Sequence, residues 1–447
     1  MILLALLAIT LPGAGLVTWG FPERAVTTAD RALRISIATA LGLGSWSAAY
    51  AAARMAGLPS AAKDVILVAV GAALLLSSRG RPAANEARGE AAPRWLWIFF
   101  FAACAISIGA FVEHDWRFPD GGWDAWMIWN LRARFLVRDP DLRAAFSPDL
   151  LLWAHADYPW LIPGAVAQGF VLAGRETRIV PLAIAVAFGV LAVSVISLTL
   201  TRLYGARWGL LAALAILTVP AFPIFVSNQQ SDIPLAVYLG CAGALMVLAP
   251  ARAGRSPRML LLAGFAAGLG AWTKNEGALY AVCLAVGLLV RTRDLRGTLA
   301  FCAGIVPAVL VLLGFKLFYA PVNDLARLST FATLVEHALD PLRWAKLLLY
   351  ALRRVVFFQA FALFLVAEVV VLAGWVRRLP ATPLGSALSL AAAAFAAIYV
   401  LQPHPLNWIF RTSVDRLILQ LWPAAVLATF LPLARITTAA QDQNERV

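Results

Sequence analysis

Charge is scarce in this chain: Asp, Glu, Lys and Arg together make up 14% of 447 residues, against 62% hydrophobic residues and a mean hydropathy of +0.79. So few charges cannot cover the surface of a soluble domain, and that class is excluded. Cysteine is rarer still. Cys104, Cys241, Cys283 and Cys302 each lie within an apolar run and none forms a CxxC pair, which excludes a disulfide framework and a cysteine zinc site. Internal repeats and low-complexity stretches are also missing. What fills the chain is apolar runs long enough to cross a bilayer, near 2–19, 32–53, 62–78, 95–112, 178–201, 206–226, 231–250, 257–273, 276–290, 298–320, 346–374, 381–402 and 411–434. A crossing needs about 20 residues, so the pattern predicts an all-α polytopic membrane protein of about thirteen transmembrane helices.

The net charge of +13 invites a nucleic-acid partner, but the basic residues form no patch or tail. They punctuate alternate connections instead: Arg79 to Arg94, Arg202 and Arg207, Arg252 to Arg258, Arg291 to Arg296, Arg377 and Arg378, and Arg435. The positive-inside rule makes those connections cytoplasmic. The excess charge thus reports topology, and no nucleic-acid partner is expected. The other connections, Glu113–Tyr158, Ser227–Ser231, Thr273–Glu276, Pro321–Lys346 and Gln402–Asn407, then share the outer face. The first run lacks a basic flank before it and is followed by Arg24, Arg31 and Arg34, so it is read as a retained helix with its N-terminus outside, a cleaved signal peptide being the alternative.

Composition divides the chain into residues 1–94, N-terminal helices ending in an Arg/Pro/Ala/Glu-rich cytoplasmic linker; 95–320, a membrane core with the outer loop 113–177; and 321–447, a second outer loop and the last helices. Within the first loop, the apolar stretch opened by Tyr158-Pro159 is too short to span. It is expected to be interfacial or re-entrant, while 321–346 is long enough for an amphipathic helix above the site.

The polar motifs gather in the outer connections. Asp120-Gly121-Gly122 is expected to open a helix with Asp120 as cap, placing Asp124 in its first turn among Trp123, Trp126 and Trp129. On a regular helix Arg132 and Arg134 would each lie about 80° to one side of Asp124, an arrangement suited to a phosphate beside an ionised carboxylate. Headgroup contacts are the plainer use of those arginines, as dipole complementation is of Asp124. Asp232, in Ser231-Asp232-Ile233-Pro234, stands at a helix mouth as either a cap or a functional acid. Lys274 and Glu276 form a hinge between two short apolar runs, serving a site or a structural pair. Arg411 and Arg416 on the outer side run against the positive-inside bias, which a bound anion would offset. Glu113, His114, His155 and Asp157 leave a divalent metal open, without diagnostic spacing; no cofactor is otherwise implied.

In this order the motifs resemble the GT-C integral-membrane glycosyltransferases, closest to the bacterial aminoarabinose transferases and protein O-mannosyltransferases. They are the loop acid Asp124, Tyr158-Pro159, Asp232-Ile233-Pro234-Leu235, Lys274-Asn275-Glu276-Gly277 and Asp415-Arg416-Leu417 ahead of Pro423. The resemblance covers roughly Glu113 to Glu276 and the last span. It implies a polyprenyl-phosphate-linked sugar as donor, and a lipid, glycan or protein acceptor. Transfer with inversion would occur at the periplasmic or exterior face of the bacterial inner membrane. Carried over by position, Asp124 resembles the general base and Asp232 the second acid, Lys274 the hinge lysine and Arg416 the C-terminal cation. Tyr158, Glu276, Arg132, Arg134 and Arg411 join the expected donor-binding set. The chain departs from the family pattern in having three helices ahead of the one that enters the loop, and one acid where many members carry a pair. A transporter or flippase for a lipid-linked or anionic substrate is the alternative, though such proteins show paired repeats and midplane breaks. An idle membrane scaffold is a third reading.

Overall fold

The computed structural model describes residues 2–21, 23–78, 91–150, 154–249, 256–323, 328–358 and 382–444, and among these there is helix but no β-strand. The expected linker at 79–90, the part of the run 346–374 beyond 358, and the basic residues Arg252, Arg255, Arg377 and Arg378 lie outside the described residues.

Three helices come first: α1 (Ile2–Gly20), α2 (Thr28–Met55) and α3 (Ser60–Ser77). They are followed by α4 (Arg94–Arg117). The first outer segment then holds a π-helical turn (Ala125–Trp129), α5 (Asn130–Arg138), a 3-10 turn (Leu142–Phe146) and α6 (Leu161–Ala173). The core continues with α7 (Ile179–Tyr204), α8 (Ala206–Leu217), α9 (Ala221–Ser227), α10 (Asp232–Leu248), α11 (Pro257–Thr273), α12 (Asn275–Thr292) and α13 (Leu295–Phe318). Two amphipathic helices, α14 (Phe331–Leu339) and α15 (Pro341–Phe358), occupy the second outer segment, before α16 (Pro383–Leu401) and α17 (Leu406–Asn444) close the chain.

Every expected apolar run meets a helix, but the helices are of two kinds. Among the described residues six are long and apolar enough to cross a membrane: α1, α4, α7, α13, α16 and the Leu406–Arg435 part of α17. The run 206–226 is a seventh crossing only as a bent pair, α8 and α9 meeting at 70° where Pro220 removes a backbone donor and breaks the helix. The count of thirteen crossings is therefore not reproduced. α10 shows why: its 17 residues are almost all buried, so protein rather than lipid surrounds it and neither length nor hydropathy has to match a bilayer. At the opposite extreme α4 has only 11% of its apolar window buried and turns Ile98, Phe99, Phe101, Ile106 and Ile108 outward, as a lipid-facing helix does. The chain is a multi-pass membrane protein.

Where helices touch most closely, glycine sets the distance. A Cβ at Gly264 of α11 would fall 1.8 Å from the Phe301 carbonyl oxygen, and one at Gly304 of α13 would fall 1.9 Å from that of Leu261. These paired absences let the two backbones meet directly, the small-residue packing that membrane helices use. α11 in turn packs on α10 and α12, and α2 reaches α6, α7 and α11, so the helices preceding the loop join the central core.

α6 is 13 residues long, as expected of a segment too short to span, and ends on Gly174 with φ of +67°. Its first eight residues are buried, against α2, α5 and α7. It is thus a packed strut carrying the preceding Asp157-Tyr158-Pro159 into the protein.

Candidate active site

All five connections assigned to one face by charge alone contribute to a single cavity of about 680 Å³: Asp124 and Tyr158 from the first, Gln230 from the second, Lys274 and Glu276 from the third, Asn323 from the fourth, and Gln402 and His404 from the fifth. Arg416, Tyr399 and Gln420 come from α16 and α17. Its lining joins these charged and polar groups to Phe395, Ile398, Trp408 and Ile409.

Local sequence explains how Asp124 arrives there. Helical residues begin at Trp123, after Gly121 at φ of +81° and a Gly122 amide that donates to the Asn228 carbonyl at 3.1 Å. The expected cap, Asp120, sits in the turn before this, and the loop is anchored on the 228–230 connection instead. Trp126 faces outward and the half-exposed Trp123 lines the cavity, whereas Trp129 is fully buried and stacks on the Tyr158 ring at 5.8 Å. His155 stacks on Tyr158 at 4.9 Å. Burial holds the Tyr158 phenol well above its ordinary range, so it stays protonated at neutral pH.

The charged groups form a chain of ion pairs. Arg416 bridges two acids, placing Nη2 2.6 Å from Asp124 Oδ2 and donating from Nε to Asp232 Oδ2 at 3.1 Å. Lys274 bridges the next two, with Nζ 2.9 Å from Asp232 Oδ1 and 3.2 Å from Glu276 Oε1. The Gln420 amide also donates to Asp232 Oδ1, and Gln420 Oε1 accepts from the Tyr280 hydroxyl at 3.0 Å. Asp232 is 0% exposed and lies behind the wall; the side chain of Asp124 is 13% exposed and that of Glu276 20%. Asp232 is thus more than a helix cap: it sets both cations at the cavity surface. Lys274 has three N–H donors and Arg416 five, so each retains donors beyond these carboxylates.

Asp124, Asp232, Tyr158, Lys274, Glu276 and Arg416 therefore converge, and three other expected residues do not. Arg132 is fully buried and donates to the Ala154 and His155 carbonyls, holding the loop that carries Tyr158. Burial lowers its pKa to about 10, which still leaves it charged at neutral pH. Arg134 pairs with Glu176 at 3.5 Å, beside the Arg138–Glu176 bridge at 2.6 Å, and Arg411 is exposed outside the cavity wall. The helical-wheel placement of Arg132 and Arg134 fails because the π-helical turn widens the helix between them and Asp124. Gln420, Tyr399, Asn323 and His404 were not expected; Gln420 alone gave a signal, a lone amide one turn past Arg416 inside an apolar span.

The residues raised for a metal separate. His114 Nδ1 meets Ser227 Oγ at 3.1 Å, and Asp157 accepts from Asn275 at 2.8 Å, from Asn323 at 2.7 Å and from Lys316 through its carbonyl. Among the described residues no three His, Cys, Asp or Glu side chains gather to hold a metal ion.

Asp157 instead pins Asn323, at the head of the second outer segment, to the cavity edge. Burial acts to raise its pKa, but the Asn323 hydrogen bond, the Lys316 charge and the Asn275 hydrogen bond outweigh that and leave the carboxyl below its ordinary 3.8. A carboxyl depressed by folding holds its attachment at full strength above that value and loses it as pH falls through the lower folded one. Asp157→Asn is expected to raise the mobile fraction of a spin label placed at the exposed Val322 roughly tenfold at neutral pH, since a charged hydrogen bond contributes about 1.5–3 kcal/mol. The native protein should approach the same mobility only below pH 3.8. Unchanged label mobility in the variant would show that Asp157 does not hold the segment.

Residues 157–316 match the family described as dolichyl-phosphate-mannose-protein mannosyltransferase. The matched segment includes Tyr158, Asp232, Lys274 and Glu276, and its two ends, Asp157 and Lys316, touch at the cavity edge. Two crystal structures of ArnT from Cupriavidus metallidurans align with this chain. The one bound to undecaprenyl phosphate aligns at 17% identity over 76% of this chain and 60% of that one, with a TM-score of 0.47. The apo state aligns at 18% over 75% and 59%, with a TM-score of 0.46. This chain thus spans about 60% of the length of those proteins. Among curated protein sequences none matches. Through its core at 157–316 the chain is similar to the dolichyl-phosphate-mannose-protein mannosyltransferases, and with them resembles the GT-C integral-membrane glycosyltransferases.

Proposed function

We propose that the protein is a membrane glycosyltransferase that moves a sugar from a polyprenyl-phosphate donor to an acceptor, with inversion, at the periplasmic face of a bacterial inner membrane. The observation that carries this reading is the bridging of Asp124 to Asp232 by Arg416, and of Asp232 to Glu276 by Lys274, at the wall of one membrane-edge cavity.

The chemistry follows from charge. As the bond between the anomeric carbon and the phosphate oxygen breaks, its electron pair stays on the phosphate, which gains negative charge. Cations aimed at that oxygen therefore bind the transition state more strongly than the ground state. Arg416 and Lys274 have spare donors for it. The acceptor's hydroxyl or amine attacks the opposite side of the carbon, which inverts it, while Asp124 takes the acceptor's proton. Asp232 touches neither reactant and positions both cations. The apolar side chains in the cavity lining suit the prenyl chain or an apolar acceptor.

The same polar groups would suit a carrier of lipid-linked anions. Against a carrier, the connecting motifs cluster at one end of the bundle and are not paired in two halves. Incubation of the purified protein with polyprenyl-phosphate donors labelled in the sugar tests the reading. Label should move to an acceptor or to water, and a panel of donors left wholly intact would refute it.

A further inference from the structure

The cavity wall carries two carboxylates, on Asp124 and Glu276, with Asp232 buried behind it, against two cations. Asp232 is held by Lys274, Arg416 and Gln420, and Asp124 by Arg416. Glu276 is different. Its Oε1 faces Lys274 at 3.2 Å, while its Oε2 is buried and has no hydrogen-bond partner among the described residues. Of the nearby phenols, the Tyr280 hydroxyl donates to Gln420 at 3.0 Å and the Tyr399 hydroxyl pairs with Ser413 Oγ at 2.7 Å, while that of Tyr158 makes no hydrogen bond to this oxygen. A buried carboxylate oxygen left unpaired is costly, and an ionised carboxylate can only accept. The missing partner must therefore donate a hydrogen bond.

We propose that Glu276 is the residue that selects the donor sugar, its Oε2 accepting a hydrogen bond from a hydroxyl or amino substituent on the ring. The assignment rests on Lys274 and Arg416 holding the donor phosphate. A phosphate oxygen would repel Glu276, so its ligand is another part of the substrate. Because Glu276 shares Lys274 with the phosphate, that part lies within a ring's width of it, which is where the sugar hangs. Asp124 lies beyond Arg416 and is left for the acceptor. A site built to accept from one substituent rejects the analogue without it, because its acceptor is then stranded.

The test compares wild type with Glu276→Gln, which keeps the side chain's shape, on polyprenyl-phospho-sugars bearing hydroxyl or amino groups and on their single-deoxy analogues. Binding of bare polyprenyl phosphate is measured alongside. At one ring position, deleting the substituent should lower wild-type kcat/KM about ten- to a hundredfold. Glu276→Gln should lose a similar factor on the parent donor, nothing further on that deoxy analogue, and change bare polyprenyl phosphate binding by less than about threefold. Whether the amino or the hydroxyl donor shows the drop identifies the substituent. Equal losses on parent and deoxy donors, or an equal loss on the bare lipid, would mean that Glu276 acts only through Lys274 and would overturn the proposal. If no donor is turned over, the glycosyltransferase reading fails by itself. The affinity difference between sugar-bearing and bare lipid, compared in wild type and variant, still decides the role of Glu276. Should Glu276→Gln not fold, Glu276→Asp, which retains charge but withdraws the oxygen by one methylene, serves the same comparison.

Discussion

Asp124→Asn is expected to lower sugar transfer by about 10²–10⁴-fold, the usual contribution of a positioned general base, with folding and donor binding unchanged. Asparagine has aspartate's shape and its amide oxygen still accepts from Arg416, whose second anchor is Asp232 at 3.1 Å. The cation facing the phosphate therefore stays where it is. What disappears is the group that receives the acceptor's proton. The loss should fall on kcat, because the acid acts on the acceptor only as the new bond forms. The measurement is steady-state transfer together with the dissociation constant for polyprenyl phosphate. Transfer within tenfold of wild type would remove Asp124 from the chemistry, and a parallel loss of lipid binding would make it a clamp on Arg416.

Asp232→Ala is expected to fail in a different way. Asp232 is fully buried, and both Lys274 and Arg416 depend on it. Removing one partner from a buried ionic network destabilises by about 3–5 kcal/mol, since the charges left behind have lost both water and counter-ion. The variant should unfold several degrees earlier in detergent, bind polyprenyl phosphate poorly and transfer no sugar. Asp232 and Asp124 would thus separate by readout, the first losing stability and activity together and the second activity alone. A variant at Asp232 with native thermal stability and no transfer would instead assign this acid to the reacting atoms.

The contrast marks how far the sequence could be read. The alternation of basic and polar connections was legible because charge at a membrane edge follows one rule, and it brought Asp124, Lys274 and the Arg416 region to one face before any packing was known. The cavity drawn from all five polar connections agrees with that placement. Asp232 could be read as a site acid but not as a buried tether, because its partners Lys274 and Gln420 lie 42 and 188 residues away. Arg132 was misplaced for a local reason, the π-helical turn at Ala125–Trp129, and a distant one, the Ala154 and His155 carbonyls it reaches. Hydropathy likewise could not tell α10, enclosed by protein, from α4, whose apolar side chains are exposed. Both are apolar, and only the neighbours differ.

The most direct measurement is the fate of the sugar–phosphate bond in proteoliposomes loaded with a polyprenyl-phospho-sugar labelled in the sugar, comparing wild type with Arg416→Gln. Wild type should release polyprenyl phosphate as the label leaves the lipid, and Arg416→Gln should release little or none. Movement of intact labelled lipid across the bilayer without cleavage would contradict the account.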